Sequence, residues 1–321
     1  MMCRGVLSSS IRQNRDGLPP LPMIYDQQFI DQLTEFIPHL TSTTFSGGES
    51  FMIKIYYDIW EKRVTLNPAS KINIITNGSV MNSRIKDLLH KGNFIITMSI
   101  DAFDKQLYES IRKNAHYETL MQNLQYFADI RATTKTQLTI NFCPMPPNMY
   151  HIPTFVQKCN ELNCNYYFSI VYLPNVHSLQ SLPANELEKL VQFLIANEPQ
   201  NYPNQTNRDR YHAFIANVQG WKNNATQLAI EPGLNIHQFL EQFNQLSQQA
   251  IEQSTNPIPL LQSKDRVNQF VEALNEALDY QALSKSILEK DNIKRVLEET
   301  AKCTDTQAKE GLLYFFGKPQ K

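Results

Sequence analysis

Glycine, carboxylate and hydroxyl residues stand at the ends of two short apolar runs. The first run ends in Gly47, Gly48 and Glu49, where paired glycines let a ligand approach the backbone beside a carboxylate, or simply form a tight turn. A later run ends in Ser99 and Asp101, which point the same way because alternate residues of a strand share a face. A hydroxyl and a carboxylate in that arrangement can hold a ribose diol, although the aspartate can equally cap a helix.

Three other residues have side chains suited to chemistry. Arg112, in "YESIRKN", can form a two-pronged contact with a carboxylate or an ordinary surface ion pair. Asn141 is a polar side chain on the otherwise apolar run "QLTINFCP". Cys3 is the thiol nearest the N-terminus, and its position alone predicts an unremarkable surface residue.

A strand-helix repeat places these residues. Segments with helical periodicity separate the short runs rich in β-branched residues, which predicts parallel strands joined by right-handed crossovers. In such sheets ligands bind at the carboxyl ends of the strands, where the candidate residues stand. The predicted strands are 42–48, 71–78, 93–101, 137–144 and 166–174.

The sequence beyond about residue 180 has a different character. Apolar stripes at helical spacing, such as the one opened by Leu187 and Leu190, predict a mainly helical region whose stripes form its own core. We expect two regions, 1–175 and 176–321, with a linker or sharp turn near 254–262, which contains two prolines.

Composition narrows the function classes. The 321 residues carry a formal net charge of -1, which gives no electrostatic footprint for nucleic acid or an acidic membrane. No apolar run is long enough to span a bilayer, and five cysteines are an odd number that argues against a disulfide framework. We therefore expect a cytoplasmic protein with reduced thiols and neither nucleic-acid nor membrane partners.

The order of the strand-end motifs is more specific than any one of them. A strand ending in GGE, one ending in TNG, then "SID" with "IR" about a dozen residues later, then a strand with Asn141 before a proline-rich turn, resembles the core domain of the radical S-adenosylmethionine enzymes. The resemblance covers roughly residues 3–175. It implies a partial (β/α)6 TIM-like barrel, here lacking its first strand, followed by a mainly helical C-terminal region.

The resemblance also implies a cofactor and residue roles. In this family a four-iron, four-sulfur (4Fe-4S) cluster and an electron donor such as flavodoxin or ferredoxin cleave S-adenosylmethionine to a 5′-deoxyadenosyl radical, which abstracts hydrogen from a substrate. Gly47, Gly48 and Glu49 match the motif that binds the methionine amino group. Arg112 matches an arginine that pairs with the methionine carboxylate. Ser99 and Asp101 match the segment that contacts the ribose and nearby polar atoms, and Asn141 matches a strand around the ribose and adenine.

The family's cluster motif, CxxxCxxC, is incomplete in this sequence. Upstream of the GGE strand only Cys3 is present, and it matches the third ligand of the cluster. We therefore expect a natural gene product with a cysteine directly before Met1, another four residues earlier, and a further strand ahead of both. The alternative is a cluster-free protein that binds S-adenosylmethionine or has a regulatory role.

A hydrolase or transferase of the barrel class is a third possibility. Glu49 and Asp101 with a histidine would supply its acid-base groups. The histidines are scattered, however, and His116 and His151 precede helices in segments that predict solvent-facing side chains. The substrate stays unassigned, because residues 176–321 carry no motif that identifies one.

Overall fold

The structure is a computed structural model, and it describes two compact units. The first ends at Ser169 and also contains Ala196–Phe214, and the second contains Ile170–Ile195 and the chain from Ile215 onwards. The described residues are 9–14, 17–20, 22, 24–172, 177–230, 235–255, 257–274, 278, 288, 290–301 and 304–316.

A single parallel sheet forms the centre of the first unit. Its five strands lie in the order in which they occur in the sequence, each hydrogen-bonded to the next. All five predicted strands are confirmed, although each ends a few residues earlier than the corresponding apolar run. The strands are β1 (Ser42–Phe45), β2 (Lys71–Thr76), β3 (Asn93–Ser99), β4 (Gln137–Phe142) and β5 (Asn165–Phe168).

Helices connect the strands, as parallel pairing requires. Several begin at side chains that accept a hydrogen bond from a first-turn amide, among them Asp26, Asn82 and Asp104. The helices up to residue 230 are α1 (Ser9–Asn14), α2 (Gln27–Phe36), α3 (Lys54–Leu66), α4 (Ser83–Leu89), α5 (Lys105–Ile111), α6 (Tyr117–Ile130), α7 (Ile152–Glu161), α8 (Ala184–Ala196) and α9 (Gln205–Ile230).

One face of the sheet is closed by apolar packing. Ile74, Ile96 and Ile140 on the three central strands are at most 1% exposed. Trp60 of α3 and Phe127 of α6 are equally buried, and both form ring contacts with Phe51. This outer face therefore forms the hydrophobic core that holds helices on the sheet.

The opposite, inner face of the sheet is only partly covered. Asn73, Thr97, Thr139 and Tyr167 alternate with the core residues and are half-buried. The architecture is thus a partial α/β barrel with a polar interior. This confirms the predicted fold class for the first unit.

The second unit is helical where it is described. Phe239, Phe243 and Val271 lie in a buried apolar cluster. Pro257 begins a helix, where its missing N–H costs nothing, so the described turn residues are 253–255 and the segment from Pro257 onwards is helical. The remaining helices are α10 (Ile236–Glu252), α11 (Pro257–Ala273), α12 (Lys290–Ala301) and α13 (Asp305–Phe316).

No helix in the described part of the chain is both long and apolar enough to cross a bilayer.

Candidate functional site

The glycine loop after β1 is open to ligand. Gly47 and Gly48 have φ angles of 108° and 45°, in the region that favours glycine. Both are exposed, and a Cβ atom built on either would meet no atom within 4 Å. The N–H and C=O groups of Gly47 and Gly48 form no hydrogen bond to another described residue, although the Ser46 carbonyl before them accepts one from the Tyr56 hydroxyl. The loop therefore offers unused backbone groups at the carboxyl end of β1.

Glu49 holds this loop against the end of β2. Its Oε1 accepts hydrogen bonds from Phe51 N (3.0 Å) and Thr76 Oγ1 (2.7 Å), and its Oε2 accepts one from Asn77 N (2.7 Å). The residue is 7% exposed. Both carboxylate oxygens are used within the protein, so Glu49 fixes the position of the glycine loop.

The TNG motif therefore has a role that its sequence did not reveal. Thr76 donates its hydroxyl hydrogen to Glu49 and its oxygen accepts from Gly78 N at 3.0 Å. Sequence analysis used TNG only as one member of the series of strand-end motifs. A buried threonine ending an apolar strand is the signal that could have indicated a partner for the carboxylate.

Asp101 and Arg112, both predicted site residues, contact each other. Arg112 Nε and Nη2 each lie 2.8 Å from Asp101 Oδ2, while Asp101 Oδ1 accepts a hydrogen bond from Cys143 N at 3.0 Å. The Asp101 side chain is 2% exposed and that of Arg112 is 24% exposed. The aspartate is enclosed and orients the guanidinium, whose Nη1 has no hydrogen bond to the described residues.

Asn148 supports this ion pair and was missed by sequence analysis. Its Nδ2 donates to the backbone oxygens of Asp101 (3.0 Å) and Cys143 (3.1 Å), and its Oδ1 accepts from Met145 N (2.7 Å). The residue is fully buried. The proline-rich turn after β4 therefore anchors the strand end that carries Asp101.

A cavity of about 260 Å³ lies beside the arginine. Arg112 and Lys113 line it together with His116 and Asn77, which follows β2. No carboxylate lines it, and of its two permanent cations Arg112 is already paired with Asp101, which is not a lining residue. Such a cavity suits an anionic group such as a carboxylate.

Ser99 and Asn141 are neighbours on the inner face, where they pair in register, and Tyr167 continues the row. Asn141 is 9% exposed, and its Oδ1 accepts a hydrogen bond from Ser169 Oγ at 2.7 Å. Burial raises the pKa of the Tyr167 phenol. The row presents polar groups to the barrel interior at the carboxyl end of the sheet.

The three cysteines that the structure describes divide between the two ends of the sheet. Cys143 directly follows β4 and is half-buried, whereas Cys159 and Cys164 are buried next to the amino end of β5. Burial raises the pKa of the Cys159 thiol. Cys3 lies outside the described residues, and those residues contain no group of three metal-ligating side chains.

The expectation of a solvent-facing His151 was wrong. Its Nε2 accepts a hydrogen bond from Phe103 N at 2.8 Å, and its burial lowers the pKa of the imidazole. The neutral ring therefore serves as a fixed acceptor for the loop after β3. His116 is exposed, as predicted, and lines the cationic cavity.

Comparison with known proteins finds a family model that matches part of the first unit. The profile of the Radical SAM superfamily matches residues 14–148. No curated protein sequence matches the chain.

Several solved structures are similar to part of the chain. Streptococcus suis SuiB bound to S-adenosylmethionine is 15% identical with a TM-score of 0.42, over 57% of this chain and 42% of SuiB. Native anSMEcpe with bound AdoMet is 13% identical with a TM-score of 0.42, over 53% of this chain and 50% of that protein. The chain thus spans half or less of the length of these two proteins.

Proposed function

Residues 14–148 belong to the Radical SAM superfamily, a family of enzymes, and from this premise we propose that the chain binds S-adenosylmethionine at the carboxyl end of its sheet. The observation that carries the proposal is one edge of the sheet with three unused polar features. They are the open Gly47–Gly48 peptides, the Nη1 of Arg112 beside a cationic cavity, and the inner-face row of Ser99 and Asn141.

Each feature suits one part of this ligand. The carbonyl groups of Gly47 and Gly48 accept hydrogen bonds from the methionine ammonium, while Arg112 receives the carboxylate. Ser99 and Asn141 bind the ribose and adenine from the inner face. The ligand's charges are then matched by opposite charge or by dipoles, which offsets the cost of removing them from water.

Glu49 and Asp101 act in this proposal by positioning other groups. Glu49 has no free carboxylate oxygen, because amide and hydroxyl donors occupy both. Asp101 is enclosed and directs Arg112. They set the geometry of the loop and of the cation before the ligand arrives, which lowers the conformational cost of binding.

The cluster is a separate question. When bound, a 4Fe-4S cluster supplies the electron that cleaves the sulfonium of S-adenosylmethionine, and a reductant such as flavodoxin or ferredoxin reloads it. The described residues contain no three-ligand set for it, and Cys3 lies outside them. Binding of S-adenosylmethionine without a cluster is therefore the second candidate function.

Two measurements on the same preparation separate these functions. We expect S-adenosylmethionine to bind the untreated chain in a calorimetric titration. Iron and sulfide are then assayed after anaerobic reconstitution. Retained iron and sulfide that are lost in Cys3→Ala support the radical enzyme, whereas binding without iron supports the cluster-free function. Absence of S-adenosylmethionine binding in both preparations would contradict the proposal.

A further inference from the structure

Only the oxygen end of the Asn141 carboxamide is held by a hydrogen bond to a described residue. Its Oδ1 accepts the hydroxyl hydrogen of Ser169 at 2.7 Å, while its Nδ2 has no hydrogen bond to any described residue. Asn141 is 9% exposed, and its Nδ2 is not among the polar atoms buried without a partner, so this amide N–H2 still reaches the open interior of the sheet. The arrangement therefore leaves an accessible donor on a largely buried side chain, which a ligand acceptor can satisfy.

The backbone makes this orientation specific. Ser169 N donates to Phe142 O at 2.8 Å, directly after β5, so its hydroxyl is fixed beside the end of β4. Asn141 O in turn accepts from Ile100 N at 2.9 Å, which fixes its main chain to the segment after β3. Three strand ends thus determine where the amide lies.

We propose that Ser169 is a positioning residue that holds the Asn141 amide with its Nδ2 directed to a hydrogen-bond acceptor on the nucleoside of the bound ligand. This inference rests on the proposed function, because S-adenosylmethionine supplies that nucleoside. A carboxamide has a donor end and an acceptor end, and the serine hydroxyl occupies the acceptor end. The site is thereby committed to an acceptor on the ligand, such as an adenine ring nitrogen or a ribose oxygen.

The test is a double-mutant cycle on the full chain, read as the dissociation constant for S-adenosylmethionine. We expect Ser169→Ala to weaken binding by roughly 3- to 10-fold, the range for one hydrogen bond, and Ser169→Thr to retain affinity within about twofold. Asn141→Asp, which keeps the serine contact but replaces the donor with an acceptor, should weaken binding by about 10-fold or more. Ser110→Ala, which removes an exposed hydroxyl on α5, is the matched control and should change nothing.

The decisive arm is Ser169→Ala in the Asn141→Leu background. If Ser169 acts through Asn141, its removal has no further effect there. Adenosine serves as a second probe and should show the same losses, since the contact lies on the nucleoside. Thermal unfolding of each variant identifies any that fails to fold. If Ser169→Ala or Asn141→Leu does not fold, Ser169→Thr and the nearly isosteric Asn141→Asp still test the contact.

Each contrary result has a definite meaning. Failure of the unmodified chain to bind S-adenosylmethionine overturns the proposed function and this inference together. Normal binding by that chain with unchanged affinity in Ser169→Ala overturns this inference alone. The inference is also overturned if Ser169→Ala weakens binding equally in the unmodified chain and in the Asn141→Leu background. A loss of affinity for S-adenosylmethionine with unchanged affinity for adenosine overturns this inference as well.

Discussion

The two faces of the sheet differ in what they hold together. On the outer face, Ile96 and the neighbouring core isoleucines are buried against helices, and their side chains have no hydrogen-bonding groups. On the inner face, Asn73 and Asn141 form hydrogen bonds with the side chains of Ser42 and Ser169, which lie on or directly after other strands. The outer face specifies the fold through apolar area, whereas the inner face specifies where donors and acceptors stand.

This difference teaches how stability and binding are separated within one sheet. Adjacent residues of a strand point to opposite faces, so a single strand serves both purposes. A substitution on one face should therefore affect stability, and its neighbour should affect ligand affinity. The following predictions test that separation, from the largest expected effect to the smallest.

The largest effect compares the same substitution at adjacent positions of β3. Ile96→Ala, at a position with 0% exposure, should lower the free energy of unfolding by about 2–5 kcal/mol. Ile95→Ala, on the half-buried inner face, should cost roughly 1 kcal/mol because less area is removed from contact. Urea denaturation of both variants measures the difference, and equal costs would contradict the assignment of faces.

The next effect concerns the enclosed ion pair. Asp101→Asn should lower the free energy of unfolding by roughly 2–3 kcal/mol, since it weakens the contact to Arg112 in a buried setting. Asp58→Asn, which removes an exposed partner of Arg84, should cost about 0–1 kcal/mol. Denaturation curves with coincident midpoints for the two variants would show that burial adds nothing to the Asp101 contact.

Particular residues show why the fold could be predicted more fully than the site. The outer-face isoleucines repeat every second residue, and that period alone indicates a strand and its buried side. The contacts of Glu49 with Thr76, 27 positions away, depend instead on register between strands that the sequence does not display. The same applies to Asp101 and Asn148, 47 positions apart.

Residue types identified the candidates but not their partners. Carboxylates and two glycines at strand ends, together with an arginine directly after α5, indicate polar chemistry wherever their side chains point. Whether Arg112 contacts a ligand or Asp101 depends on side-chain placement within a few ångströms, which spacing along the chain does not determine. His151 was predicted to face solvent for the same reason, because the turn that buries it brings together segments 48 positions apart.

A smaller effect is expected at the glycine loop. Gly48→Ala should cost about 1–2 kcal/mol because φ is 45° there, although the added Cβ meets no atom within 4 Å. Gly220→Ala, in the exposed interior of α9, should instead stabilise the chain by about 0.5–1 kcal/mol. Thermal unfolding measures both signs, and stabilisation by Gly48→Ala would contradict the loop conformation.

The smallest effect is a pH dependence from His151. Between its lowered folded pKa and the unfolded value of 6.5, the unfolded chain binds more protons, so the free energy of unfolding rises with pH. This stabilisation is complete above pH 6.5 and is lost as the pH falls through the lowered folded pKa. We expect His151→Gln, compared with the unmodified chain in denaturation at several pH values, to flatten this part of the profile. An unchanged pH profile in His151→Gln would contradict the assignment of this pH dependence to His151.

The measurement closest to the central claim is a calorimetric titration with S-adenosylmethionine and with adenosine. It uses the unmodified chain and an Asp101→Asn/Arg112→Met variant, which leaves neither charge unpaired. The account predicts that the variant binds S-adenosylmethionine at least about 10-fold more weakly, while its affinity for adenosine, which has no carboxylate, changes by less than about twofold. Equal losses for the two ligands, or no binding by the unmodified chain, would contradict the account.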